Sequence, residues 1–94
     1  MAIVAVADIR FRPEVAAEGL ALLNEALVDT RAFAGNLGVD VLVSQDEPGL
    51  VRLIERWESR EADNAYRAFR SQGPSPLAAY VTGATAIAYF DPQD

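Results

Sequence analysis

GVDVLVSQDEPGLVRLIERWES, residues 38–59, decides the fold. From Gly38 to Asp46, Val39, Val41 and Val43 alternate with Asp40, Leu42 and Ser44, the two-residue period of a strand. Asp46-Glu47-Pro48-Gly49 follows. Proline presets φ and glycine accepts a positive φ, so Pro-Gly is type II turn chemistry. From Leu50 to Glu58 the alternation resumes. Val51, Leu53, Glu55 and Trp57 share one face, and Leu50, Arg52, Ile54 and Arg56 share the other. Residues 38–58 therefore read as a hairpin. Ser59 then stands where a following helix needs an N-cap.

Upstream, AIVAVADIRF (residues 2–11) reads as a first strand, with Ile3, Ala5, Ala7, Ile9 and Phe11 on one face. Val4, Val6, Asp8 and Arg10 lie on the other. Pro13 suits the start of a helix, and from Glu14 to about Thr30 the period becomes helical. Ala16, Leu20, Leu23 and Leu27 form one stripe, opposite Glu14, Glu18, Glu25 and Asp29. Gly35 lies in the next connection and is a candidate for an unusual backbone angle. Downstream, Ala62, Ala65, Tyr66 and Phe69 make the apolar stripe of a second helix that Gly73-Pro74 ends. A short third helix is expected from Ser75-Pro76 through Leu77, Tyr80 and Val81, closed by Gly83. The last strand runs from Ala84 to Phe90. The order βαββαβ, with that small extra helix, predicts one α+β domain over residues 1–94. Its form is ferredoxin-like, a four-stranded antiparallel sheet with helices on one face. Both faces of the strands are apolar, and 51% of the 94 residues are apolar. A bare apolar sheet face has to be covered, so a homodimer is expected, sheet facing sheet, as a dimeric α+β barrel.

Composition removes several chemistries. The net charge is −6, which disfavours nucleic acid and anionic membranes as partners. Every basic residue is Arg, so no Schiff-base lysine exists. The absence of Cys removes disulfides and thiolate catalysis, and the absence of His removes the commonest general base and metal ligand. No metal site and no nucleotide-binding glycine loop is expected. MAIVAVADIR has no basic leader before its apolar run, and no apolar stretch reaches the ~18 residues of a membrane span. A cytoplasmic protein is expected.

Residues 30–66 resemble the antibiotic biosynthesis monooxygenase superfamily of dimeric α+β barrels. The resemblance is carried by Thr30, Arg31, Gly35 and Asn36 before the second strand, by Asp46 at the turn, and by Glu55, Trp57, Ser59, Glu61 and Ala62. In element order it extends over nearly the whole chain. It implies a protein that oxidises a small aromatic compound (a quinol, phenol or anthrone) with O2 and no cofactor. A deprotonated hydroquinone can itself give an electron to dioxygen. The protein then has only to bind the flat substrate, favour its anion and exclude water. The resemblance equally allows a non-catalytic ligand-binding or structural barrel. Family members that degrade haem use a His on the helix after the Trp, where this chain aligns Tyr66, and an Asn on the first strand, which this chain lacks. Conventional haem degradation is therefore not expected.

Trp57, Tyr66 and Glu55 are the candidate catalytic residues, and Phe69, Asn36, Arg52 and Tyr80 the candidate substrate contacts. Each has a plainer account. Trp57 reads equally as core and as a pocket wall. Tyr66 and Phe69 fall on the apolar stripe and can be core. Asn36 beside Gly35 can simply form a turn. Arg52 and Arg56 can pair across strands with Asp40. Glu55 can be a base if its proton affinity is raised, or half of a Glu–Arg pair. Tyr80 can simply line the core.

Overall fold

A computed structural model describes residues 2–93. It contains β1 (Ile3–Arg10), a 3-10 turn (Pro13–Val15), α1 (Ala16–Ala32), β2 (Asn36–Val43), β3 (Leu50–Trp57), α2 (Arg60–Arg70) and β4 (Ala86–Phe90). The strands form one four-stranded sheet in the order β2-β3-β1-β4, antiparallel at every pairing. The ferredoxin-like arrangement is thus present, with both helices on the sheet face of Ala5, Ala7, Ile9 and Phe11. Among the described residues no helix is long and apolar enough to cross a membrane.

The hairpin closes as its turn residues dictate. The Leu50 amide donates to Glu47 O at 3.2 Å, and Gly49 has φ +86°. A Cβ at Gly49 would stand 2.2 Å from the Phe11 carbonyl oxygen. That close approach exists because the Phe11 amide donates to Gly49 O at 2.8 Å, which ties the turn to the end of β1. β2 stops at Val43 because Ser44 Oγ takes the amides of Asp46 and Glu47 and starts the turn early. At its other end β2 begins at Asn36, two residues before the expected start, through an irregularity in register at Asn36/Gly38.

Two further elements depart from expectation. The third helix does not form. Pro74 and Pro76 carry no N–H, and residues 76–80 make only successive turns. The backbone beyond them is drawn to β1 instead. Tyr80 O accepts the Arg12 amide and the Thr82 amide donates to Arg10 O, both at 2.8 Å, and Phe11 bridges Val81. β4 accordingly starts at Ala86, two residues later than expected.

Leu23 and Leu27 of α1 are buried on Ala7, Ile9, Phe11 and Leu53, and Ala16 and Leu20 pack beside them, as the stripe predicts. Each such leucine contributes about 1.5–3 kcal/mol. Gly19 is buried because the Phe11 ring fills its place, with Cδ1 2.5 Å from where a Cβ would be. A second cluster joins Ala5, Trp57 and Tyr66, with Phe33 and Tyr89 packed against it. The opposite sheet face carries Val4, Val6, Leu42, Ile54 and Phe90. Leu42 and Phe90 are 49% and 55% exposed. On the same face Arg52 donates twice to Asp8, at 2.7 and 2.9 Å, and Arg56 donates to Asp40 at 3.0 Å.

Gly49→Ala is expected to destabilise the fold by about 1–3 kcal/mol or more, from positive φ plus the carbonyl contact. Gly73→Ala, whose Cβ would meet nothing within 4 Å, should leave the melting temperature nearly unchanged. Paired thermal melts check both. The hydrogen bond from Arg52 holds the Asp8 carboxyl below its ordinary value near 3.8, against the opposing pull of desolvation. Because the folded-state value is depressed, this contribution is present above pH ~3.8 and is lost as pH falls through the folded value. Asp8→Asn should therefore flatten the acid limb of stability against pH and leave its shape above pH ~5 unchanged.

Candidate active site

α2 is set by its cap. Ser59 Oγ accepts the Ala62 amide at 3.1 Å, as the sequence predicts, and Glu61 and Asp63 occupy the favourable first turn. The buried stripe is not the expected one. Ala65 is exposed and Phe69 is 46% exposed, while Asp63 is fully buried and Tyr66 nearly so. The inward face passes through Asp63, Tyr66, Arg67 and Arg70, spaced i, i+3, i+4 and i+7. Charge, rather than hydrophobicity, orients this helix.

Arg67 explains the rotation. Its Nη2 donates to Glu55 Oε1 at 2.8 Å and lies 3.0 Å from Asp63 Oδ1, a charge contact without hydrogen-bond alignment. Glu55 Oε1 also accepts Trp57 Nε1–H at 3.2 Å, and Tyr89 Oη donates to Asp63 Oδ2 at 2.7 Å. Burial alone would push the Arg67 guanidinium down, but the Glu55 and Asp63 charges prevail and hold it above its ordinary value. Burial, and then the bond to Asp63, raise the Tyr89 hydroxyl, which stays neutral as the donor. Four residues on β3, α2 and β4 are thereby linked through one cation.

One turn along α2, Arg70 Nε donates to Tyr66 Oη at 2.7 Å, and Arg70 Nη2 donates to Ala26 O at 2.8 Å and to Thr30 Oγ1 at 3.3 Å. Thr30 Oγ1 and Tyr66 Oη lie 2.6 Å apart. Thr30, buried on α1, continues the Leu23-Leu27 stripe by three residues.

Between these groups a cavity of about 410 Å³ opens between the sheet and the helices. Its base is Ala7, Leu53, Glu55 and Ile87. α1 supplies Leu23, Leu27 and Thr30, and α2 supplies Tyr66, Arg67, Phe69 and Arg70. The Gly73–Leu77 connection forms its rim. The volume falls in the ~300–1,000 Å³ range of small-molecule sites.

Of the candidate residues, Glu55, Tyr66 and Phe69 line this cavity. The other four are elsewhere. Trp57 is fully buried, its ring centroid 5.1 Å from that of Tyr66, and it does not reach the cavity. It acts as a backing plate for Tyr66 and a donor to Glu55. Asn36 uses Oδ1 to accept the Gly38 amide at 2.9 Å, which is the turn account. Arg52 belongs to the opposite sheet face, because Asp8 stands across from it in the β1–β3 register. Tyr80 packs against the α1 core. Thr30, Arg67 and Arg70 were not anticipated. The signal was there: 63, 66, 67 and 70 form a polar helical face as regular as the apolar one.

A family model described as antibiotic biosynthesis monooxygenase matches residues 2–71. Among solved structures, Rv0793 from Mycobacterium tuberculosis is 27% identical with TM-score 0.77, over 100% of this chain and 97% of that one. PA3566 from Pseudomonas aeruginosa is 20% identical with TM-score 0.79, over 99% and 95% of the two chains. SnoaB from Streptomyces nogalater, described as a cofactor-independent oxygenase, is 16% identical with TM-score 0.77, over 99% and 94%. At those lower identities the last two show a shared fold. No curated protein matches the chain. With the family model covering β1 through α2, the chain belongs to the antibiotic biosynthesis monooxygenase family.

Proposed function

We propose that this protein is a cofactor-independent monooxygenase that oxidises a small, flat, electron-rich aromatic compound, of quinol, phenol or anthrone type, with O2. The observation that carries the reading is the cavity, where apolar walls meet a few convergent polar groups from three elements. Family membership and the printed description of SnoaB point the same way. In the overall reaction one oxygen atom enters the substrate and the other leaves as water, with the electrons supplied by the substrate. The chain's own residues then have three tasks. Leu23, Leu27, Leu53 and Phe69 enclose the ring and exclude water. Glu55 is the proton acceptor: both of its side-chain bonds fall on Oε1, and Oε2 takes none among the described residues. Tyr66, whose oxygen already receives the Arg70 N–H, offers its own proton to a ligand oxygen in exchange for Thr30.

The protein works as a homodimer in this reading, with the face of Val4, Val6, Leu42, Ile54 and Phe90 turned to a second copy. One observation favours a second reading, a non-catalytic ligand-binding barrel. Tyr66 Oη and Glu55 Oε1 are each already held by two partners, which is what a purely structural network needs.

Oxygen uptake separates the two. Metal-stripped protein mixed with hydroquinones, dihydroxynaphthalenes and anthrones should consume O2 well above the autoxidation blank. Glu55→Gln and Tyr66→Phe should each lower kcat/KM by about 10²-fold or more, the size of a general acid–base contribution. Trp57→Phe, which removes the donor behind Glu55 and part of the ring that backs Tyr66 but touches no ligand, should cost less than either. Binding of these compounds with uptake at the blank rate would favour the ligand-binding barrel. Sedimentation equilibrium tests the dimer, and a monomer at micromolar concentration would overturn it.

A further inference from the structure

The two arginines of the cavity are not equivalent. Arg67 is shared by two carboxylates, Glu55 and Asp63. Arg70 has no carboxylate within ion-pair distance among the described residues; its partners are a hydroxyl, a second hydroxyl and a carbonyl. The Glu55 end therefore carries two negative charges against one positive, and the Arg70 end carries an uncompensated positive charge. Asp63 stands behind Arg67 rather than on the wall, and among the described residues Glu55, Arg67 and Arg70 are the charged side chains that line the cavity. α1 presents Leu23, Leu27, Ala26 and Thr30 there, β4 presents Ile87, and the 73–77 connection presents no charged group. The site is electrically polar along its length.

Arg70 is also held ready. Nε and Nη2 fix the plane of the guanidinium, so little rotamer freedom remains to be lost on binding. Nη1 makes no hydrogen bond to any described residue. The Cζ atom stands 5.3 Å from the centroid of Tyr66 and 5.8 Å from that of Phe69, and both rings line the cavity. Arg70 and both rings line the same cavity, so a flat ligand held there shares it with the guanidinium and with Tyr66.

We propose that Arg70 anchors an anionic oxygen of the ligand, so that the cavity takes an aromatic hydroxyl compound as its phenolate, oriented with the oxyanion away from Glu55. This rests on the reading of the cavity as an aromatic-ligand site and specifies which end of the ligand goes where. The proton lost on ionisation at this end passes to solvent and the bound anion is neutralised by Arg70, which leaves Glu55 to accept the proton released at the far end of the ligand as it is oxidised. Arg70 is a specificity-determining residue in this scheme, because it selects the ionisation state that can reduce O2.

The test uses 4-nitrophenol, whose absorbance distinguishes phenol from phenolate, titrated with pH in the presence of the full chain. Bound dye should ionise at least about one pH unit below free dye, because an opposite charge at contact distance shifts a titration by about 1–3 units. Phenolate is then bound roughly tenfold or more tightly than phenol. Arg70→Gln should abolish the shift, and Arg70→Lys should retain most of it, which a merely structural role would not do. The wild-type protein alone supplies a second reading. 4-Nitroanisole, the same ring without a charge, should bind about tenfold or more weakly than the phenolate. A bound dye that ionises at the free-dye pH, or an Arg70→Gln protein that keeps the shift, overturns the anchor while leaving an aromatic site in place. Absence of dye binding at any pH overturns the anchor and the aromatic site together.

Discussion

Arg67 between Glu55 and Asp63 is the interaction on which the functional half of the molecule depends. Two carboxylates lie inside the fold, Asp63 at 0% and Glu55 at 2% exposure, and a single guanidinium serves both. Removing one member of such a group leaves buried charge uncompensated, at a cost of about 3–5 kcal/mol. The arrangement therefore fixes the rotation of α2 over β3 in a way that interchangeable apolar contacts cannot. Tyr89 extends the same constraint to β4 by donating to Asp63.

The rotation has consequences beyond the ion group. With Asp63 and Arg67 turned inward, Tyr66 and Arg70 face α1, where Thr30 and the Ala26 carbonyl receive them. Two polar clusters thus hold α2 at two heights, and polar side chains of this length keep the helix from closing onto the sheet. The space left between them is the cavity. Phe69, displaced from the buried stripe, becomes an aromatic wall rather than core, in contact with Phe33 at a centroid distance of 5.4 Å. Trp57 stays behind this wall, where its ring supports Tyr66 and its N–H steadies Glu55. A single packing decision therefore distributes three aromatic side chains between support and contact.

The sheet is organised by simpler rules. Its helix-facing side is apolar apart from Glu55 at the cavity, and its other side mixes Val4, Val6, Ile54 and Leu42 with the pairs Asp8–Arg52 and Asp40–Arg56. The Phe11–Gly49 contact locks the hairpin to β1, and the same stretch of β1 draws in residues 80–82. After the turns at 76–80 the chain is thereby paired to the end of β1 instead of continuing as a helix.

The strands, the turn at Pro48-Gly49, the cap at Ser59 and the α1 stripe were legible in the residues themselves. Each depends on local chemistry: a two-residue or 3.6-residue period, a φ preset by proline, a hydroxyl at a helix start. That Glu55 and Tyr66 face the space between sheet and helices was legible for the same reason, since Glu55 shares a strand face with Trp57 and Tyr66 falls on the expected inward stripe of α2. What the sequence alone determined is the element order, the ferredoxin-like sheet and which residues share a strand face. Only the tertiary structure decided that α2 turns its charged face inward, that Arg70 rather than Arg52 reaches the cavity, and that Trp57 does not. The energy of burying Asp63 depends on whether an Arg and a Tyr from other elements arrive beside it. That condition is met by long-range packing and leaves no mark on local periodicity.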